Sequence, residues 1–453
     1  MNIFSGMRTL VVSVLTSLIL LGCHSYGQIK NERTDQLLTD GVYSLRAQTQ
    51  AEAESGRSPD MKFILTFSGG GTRAAAMAYG VMEELRDNNI LIDGQQRRLL
   101  DEIDYISSVS GGSFTAAYYG LHGEQMFDIF EDEFLRFDLQ SKLTHSVLNP
   151  FHWFTTKGRT ERSIEIYDKY LFHDATFTDM AKPGRPMIVI NASDLSHGVR
   201  FSFIQDYFNL LCSDISTFPV SRAVTASSAV PIVFNPVVLE NYSGCPDLVA
   251  GKREQIEKRM QGDAELTALY SGVKTYSDKE TRKYIHFVDG GITDNMGLRA
   301  MSDVIEFGGG LKTYLQKKGE APPDTIVMIS VNASTSPQTE MDATTKQPSI
   351  AKSIGAVSSV QLHRYNVATV ELVRGELESW AKELSTPEHQ VTAYFIEVSF
   401  ENIKQPQLRL FLNKVPTSFK LSDEQVDKLT NSARELLRAD PVFQKLLSDF
   451  GQP

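Results

Sequence analysis

The chain has 453 residues, 41% of them hydrophobic, with 45 Lys and Arg against 56 Asp and Glu and a formal net charge of −11. Apolar content on that scale supports one large α/β domain or two ordinary ones and excludes a disordered chain. The acidic balance, with no long basic run, excludes nucleic acid as a partner.

At the start of the chain Arg8 precedes an apolar run from Thr9 to Leu21, followed by Gly22 and Cys23. The run is shorter than the roughly 18 to 20 residues that a membrane-spanning helix needs, so residues 1–22 read as a signal peptide. Leu20-Leu21-Gly22-Cys23 resembles the bacterial lipobox, in which the cysteine is lipidated and becomes the mature N-terminus; a plain cleaved signal is the alternative. His24 after the cysteine, where aspartate does not stand, points to a lipid anchor in the outer rather than the inner membrane of a cell envelope, facing periplasm or surface. Two further cysteines remain, Cys212 and Cys245. In an exported chain they are expected to form a disulfide, two buried thiols being the alternative. No cysteines and histidines show metal-ligand spacing, so no metal is expected.

Residues 23–60 are polar and read as a tether or a short helix. A catalytic domain is expected over 61–300. It opens with short apolar runs alternating with amphipathic stretches: Phe63 to Phe67 then Ala74 to Leu85, and Tyr105 to Val109 then Ser113 to Tyr119. The repeating unit is strand, glycine turn, helix, which predicts an α/β fold with a mostly parallel central sheet flanked by helices. Further strands are predicted at Met187 to Asn191, Val199 to Ile204, Tyr284 to Val288, Thr325 to Val331 and Tyr394 to Phe400. The last two extend the same α/β domain through 301–453. The charged segment 239–283 reads as an insertion, either a lid or a solvated excursion. Toward the end, Val426, Leu429, Leu436, Leu437, Phe443, Leu446 and Leu447 recur at helical spacing and predict a helix docked on the core, with membrane contact as the lesser reading.

Three glycine-flanked features fall at strand ends. In the first, the strand Phe63 to Phe67 runs through Ser68 into Gly69-Gly70-Gly71-Thr72-Arg73 and a helix. Glycines there leave backbone N–H groups facing open space, a site for an anion. Gly69-x-Gly71-x-x-Ala74 also satisfies a dinucleotide fingerprint, so by itself the loop is either a cofactor cradle or an oxyanion hole. The second feature, Ser108-Val109-Ser110-Gly111-Gly112, favours the oxyanion hole. It carries a strand into a helix with serine at the turn, the arrangement of a nucleophile elbow. Ser107, Ser108 and Ser113 are rival hydroxyls, but only Ser110 has glycines on its helix side, Gly111 and Gly112, that leave its Oγ exposed. In the third feature, the strand ending at Val288 delivers Asp289, Gly290 and Gly291, placing a carboxylate at the carboxyl edge of the sheet.

In this combination the motifs resemble those of the patatin-like phospholipase family: a glycine-rich loop, a G-x-S-x-G elbow and an Asp-Gly-Gly motif. Ser221 to Val237, containing Ala226-Ser227-Ser228-Ala229-Val230-Pro231, resembles a further block of that family. Two departures are Ala74 for the last glycine of the first motif and Ser108 for the first glycine of the elbow. The resemblance implies a patatin-like three-layer fold and a serine lipid acyl hydrolase without cofactor. Ser110 would be the nucleophile, Asp289 the base and Gly69, Gly70, Gly71 and Thr72 the oxyanion hole, with Gly112, Gly290 and Gly291 in support. Arg73 would orient the loop or meet a lipid phosphate, a structural ion pair being the alternative. The expected partners are a membrane lipid substrate and, through Cys23, a membrane surface. Competing readings are a Ser-His-Asp esterase drawing on His363 or His389, and an inactive lipid-binding envelope protein.

Overall fold

The structure, a computed structural model, describes residues 27–92, 94–148, 157–231, 233–249, 260, 264–336 and 344–451. The signal segment and Cys23 lie outside the described residues, as does most of the charged stretch 250–263. The strands of the main sheet are β1 (Met61–Phe67), β2 (Tyr105–Val109), β3 (Met187–Asp194), β4 (Val199–Ser202), β5 (Val237–Glu240), β6 (Tyr284–Asp289), β7 (Thr325–Asn332) and β8 (Thr392–Ser399). They lie in the order β8-β7-β1-β2-β3-β6-β5, with β4 folded back on the end of β3. The five strands β8, β7, β1, β2 and β3 are mutually parallel, and β7, β1, β2 and β3 are buried along nearly their whole length, as strands covered on both faces are. β6 runs antiparallel to both its neighbours, and β4 antiparallel to β3.

The fold is therefore α/β with a mostly parallel central sheet, flanked by helices. Among the helices are α1 (Thr72–Asp87), α2 (Gly111–His122), α3 (Val220–Ser227), α4 (Gly291–Asp294), α5 (Ile350–Leu384), α6 (Asp423–Ala439) and α7 (Pro441–Asp449). α1 and α2 each begin directly at a loop after a parallel strand. α6 packs along α1, and their contact is fixed by Glu84, buried, accepting from Arg438 Nε at 2.8 Å and Nη2 at 2.6 Å.

The helical stripe near the end of the chain is two helices, broken where Asp440 caps α7 and Pro441 opens it. Val426, Leu429, Leu437, Phe443, Leu446 and Leu447 are buried in the core and Leu436 packs against it. The apolar residues face protein.

Two expectations require correction. The described part of 23–60 is no tether. Tyr43 is buried and its hydroxyl accepts from the Ile188 N–H at 3.1 Å; Asn31 donates to Ser213 Oγ at 2.7 Å and to the Glu240 carbonyl at 2.8 Å; Leu45–Ser55 forms a helix. Specific hydrogen bonds hold this polar segment where composition indicated solvent. The segment 239–283 also starts too early, because Leu239 and Glu240 pair with Ile285 and Tyr284 inside the sheet. Beyond it, Leu266, Tyr270 and Val273 bury one face of the helix Ala264–Lys274. Cys212 and Cys245 are disulfide-bonded, with Cα atoms 5.4 Å apart, and tie the start of this excursion to the body.

Candidate active site

β2 ends at Val109 and α2 begins at Gly111, leaving Ser110 alone to turn the chain, at φ 50° and ψ −119°. A side chain rarely adopts such a φ, and the local strain has to be held by neighbours. Ser110 N–H donates to Ser227 Oγ at 2.8 Å; that hydroxyl donates to the Asn191 carbonyl at 2.6 Å and lies 3.1 Å from Ser113 Oγ. The two glycines after Ser110 are required by close approach. A Cβ on Gly111 would fall 2.0 Å from the Gly71 carbonyl oxygen, and one on Gly112 would fall 2.6 Å from Phe67 Cβ. Ser108, where the family has glycine, is accommodated: it is fully buried and donates to the Val189 carbonyl at 3.4 Å. Ser107 donates to the Gly297 carbonyl at 2.6 Å. The rival hydroxyls are thus engaged in the core, while that of Ser110 meets the Asp289 carboxylate.

Asp289 arrives from the opposite direction. β6 is antiparallel to β3, so strand polarity does not bring it to the elbow; register does. Asp289 pairs with Ala192 and Val109 with Asn191, adjacent residues of β3. Its N–H donates to the Ala229 carbonyl at 3.0 Å, and the Gly290 N–H to the Ser227 carbonyl at 3.1 Å. Burial raises its carboxyl pKa to about 6; the Gly291 N–H, 2.8 Å from Oδ1, and the Ser110 hydroxyl pull it back down. Near neutral pH the group is ionised yet basic enough to take a proton.

The glycine loop adopts backbone that only glycine adopts readily, with φ 144° at Gly70 and 62° at Gly71. Four residues were expected to supply oxyanion donors, and two have their N–H groups committed: Gly69 donates to the Asn295 carbonyl at 3.0 Å and Thr72 to the Ser418 carbonyl at 3.0 Å. Those bonds hold the two ends of the loop. Among the described residues the N–H groups of Gly70 and Gly71 find no acceptor.

Arg73 is buried without a carboxylate partner among the described residues, so the ion-pair alternative is not realised. Its Nε donates to the Ala333 carbonyl at 2.9 Å and Nη1 to the Val415 carbonyl at 2.6 Å, and burial lowers its pKa to about 10. It locks the start of α1 to two distant segments and remains charged.

Of the two histidines considered for a triad, His389 lies away from Ser110. His389 lies 3.3 Å from Asp324, just before β8 and β7 begin, at the opposite edge of the sheet from Ser110. His363 is half-buried within α5. Two residues with no earlier assignment adjoin the site: Ser227, and Asn295, whose Oδ1 would meet a Cβ placed at either Gly69 or Gly291. The block around Ser227 was visible in sequence, its hydrogen bond to Ser110 was not. Among the described residues no group of three or more His, Cys, Asp or Glu is placed to hold a metal ion.

A family model described as patatin-like phospholipase matches residues 65–301, more than half of the chain. The chain belongs to the patatin-like phospholipase family. All three patatin-like motifs lie inside the matched range, whereas β7 and β8 lie outside it and extend the same sheet beyond β1. No curated protein matches the sequence. Among solved structures, human GIVD cytosolic phospholipase A2 is similar at 11% identity and a TM-score of 0.38, over 90% of this chain and 65% of that one. VipD from Legionella pneumophila is similar at 10% identity and a TM-score of 0.33, over 87% of this chain and 68% of that one. The patatin-like chain thus spans less than two thirds of the length of the human enzyme.

Proposed function

We propose that this protein is a serine lipid acyl hydrolase of the phospholipase A or lysophospholipase type, cleaving carboxylic esters of membrane lipids through a Ser110–Asp289 dyad. The observation that carries the reading is one juxtaposition: a strained, hydrogen-bonded Ser110 facing a buried carboxylate, beside two glycine N–H groups that find no acceptor among the described residues. Asp289 takes the hydroxyl proton as Ser110 Oγ attacks the ester carbonyl carbon. The carbonyl electron pair moves to oxygen, which the Gly70 and Gly71 N–H groups stabilise; such donors are typically worth about 10²- to 10³-fold each. Collapse expels the alcohol, which recovers the proton from Asp289, and leaves an acyl-Ser110. Water, deprotonated by Asp289, then releases the fatty acid.

In the same reading Cys23 is lipidated, and the protein works at a bacterial envelope membrane. The test is mass spectrometry of the protein acid-quenched during turnover of a short-chain chromogenic ester. An acyl group on the peptide containing Ser110 is expected. An acyl group on another residue, or turnover undiminished in Ser110→Ala, would overturn the reading.

A further inference from the structure

α5 is packed along only part of its length. Asn366, Val370, Val373, Leu377 and Trp380 form its buried side, at spacings of three and four residues. Continued toward the N-terminus, that side carries Leu362, half-buried, and then Ser359, exposed. Coverage of that side thus thins from Leu362 toward the N-terminus, where Ser353 and Ala356 are still half-buried. On its outward face Val357, Val360 and Val367 are 62%, 43% and 51% exposed. Their spacing of three and seven residues aligns them in one stripe. A single exposed valine needs no explanation, but an aligned set on an unpacked helix does.

The charge pattern indicates what covers the stripe. From Thr344 to Val370 the sequence contains no aspartate or glutamate, while Lys346, Lys352 and Arg364 are cationic, in a chain where acids outnumber bases overall. An apolar stripe on the acid-free part of α5 that precedes Glu371 matches an anionic bilayer surface, where valines enter the acyl boundary and the exposed Arg364 meets headgroups.

The stripe is also connected to the site. Asn366 Nδ2 donates to Ser334 Oγ at 2.8 Å, Asn295 Nδ2 donates to the same oxygen at 3.3 Å, and the Asn295 carbonyl holds the Gly69 N–H. By helical rise, Val360 and Val357 lie about 9 and 14 Å along the axis from Asn366. Ile292, three residues after Asp289, adds a further half-exposed apolar side chain on α4.

We propose that the Val357, Val360 and Val367 stripe of α5 is the surface by which this protein seats on an anionic lipid bilayer. That the seated site then receives an ester rests on the hydrolase reading; the seating itself does not. An environment-sensitive fluorophore on Val357→Cys in the full-length Ser110→Ala protein is compared with the same label on Leu91→Cys, an exposed position just past the far end of α1. Adding vesicles of phosphatidylglycerol and phosphatidylcholine is expected to blue-shift the label at 357 and protect it from aqueous iodide, leaving the label at 91 unchanged. In the active protein, Val357→Asp with Val360→Asp is expected to lower vesicle hydrolysis about tenfold or more while short-chain soluble ester turnover stays within about twofold. Iodide quenching at 357 that vesicles do not change would overturn the proposal. So would a dimer that shields the label without lipid, which would give the stripe to a second copy. If no ester is cleaved at all, the fluorescence comparison still decides.

Discussion

The Ser110 N–H donates to Ser227 Oγ at 2.8 Å, across 117 residues of sequence. Through its own carbonyl Ser227 also receives the Gly290 N–H, so one residue of α3 holds the backbone at the proposed nucleophile and beside the proposed base. Ser227→Ala leaves the Ser110 N–H and the Asn191 carbonyl without this partner in a buried setting, which costs about 1 to 3 kcal/mol each. We expect kcat to fall about tenfold with KM within about twofold, since the residue positions the reacting groups without touching substrate. Steady-state kinetics on a soluble ester checks this; a change in KM alone would contradict it.

With Asp289 as the proposed base, its carboxyl sets the expected pH dependence. With its carboxyl pKa raised to about 6, kcat/KM should rise with pH and level off above that value. The sign for stability is the reverse. A carboxyl raised in the folded state favours the folded protein below its unfolded pKa, and that contribution is lost as pH rises from about 4 to about 6. Asp289→Asn should therefore abolish turnover yet raise stability at pH 8 by about 1 to 3 kcal/mol, with less gain at pH 4. Asp294, also buried and raised to about 6, titrates in the same window, so wild type and Asp289→Asn must be compared at each pH. Denaturant unfolding at the two pH values is the measurement.

Two glycine substitutions should behave oppositely. Gly111→Ala places a Cβ 2.0 Å from the Gly71 carbonyl oxygen, backbone against backbone, and should remove activity by separating elbow and loop. Gly375→Ala, in the middle of α5 with nothing within 4 Å, should stabilise by about 0.5 to 1 kcal/mol and leave activity unchanged. Thermal melts and ester turnover of both variants check the pair.

The Cys212–Cys245 bridge closes a loop with a sequence separation of 33. By loop-closure entropy its reduction should cost about 3 to 4 kcal/mol. Because neither cysteine touches the dyad, turnover at low temperature should survive a reductant while the unfolding midpoint falls.

Much of this was legible in the sequence, and the exceptions have physical causes. The strands β1, β2, β3 and β7 were readable because a strand buried on both faces is a continuous apolar run. The antiparallel direction of β6 was not, because an apolar run carries no polarity; Asp289 reaches the elbow through register. The short edge strand β5 was hidden because only half of Val237–Glu240 is buried. The segment 27–60 looked like a tether because a side chain such as Asn31 reads as solvent-facing until its partners, 182 and 209 residues away, are known. The same distance effect concealed the hydrogen bond from Ser110 to Ser227.

The central claim is that Ser110 and Asp289, with no histidine, cleave the ester. Fatty-acid release from mixed phospholipid vesicles and from a short-chain chromogenic ester by wild type, Ser110→Ala, Asp289→Asn, His363→Ala and His389→Ala tests it most directly. The account predicts that release is lost in the first two variants and retained in both histidine variants. Release by Ser110→Ala at the wild-type rate, loss in either histidine variant, or no release by the wild type from any substrate would contradict it.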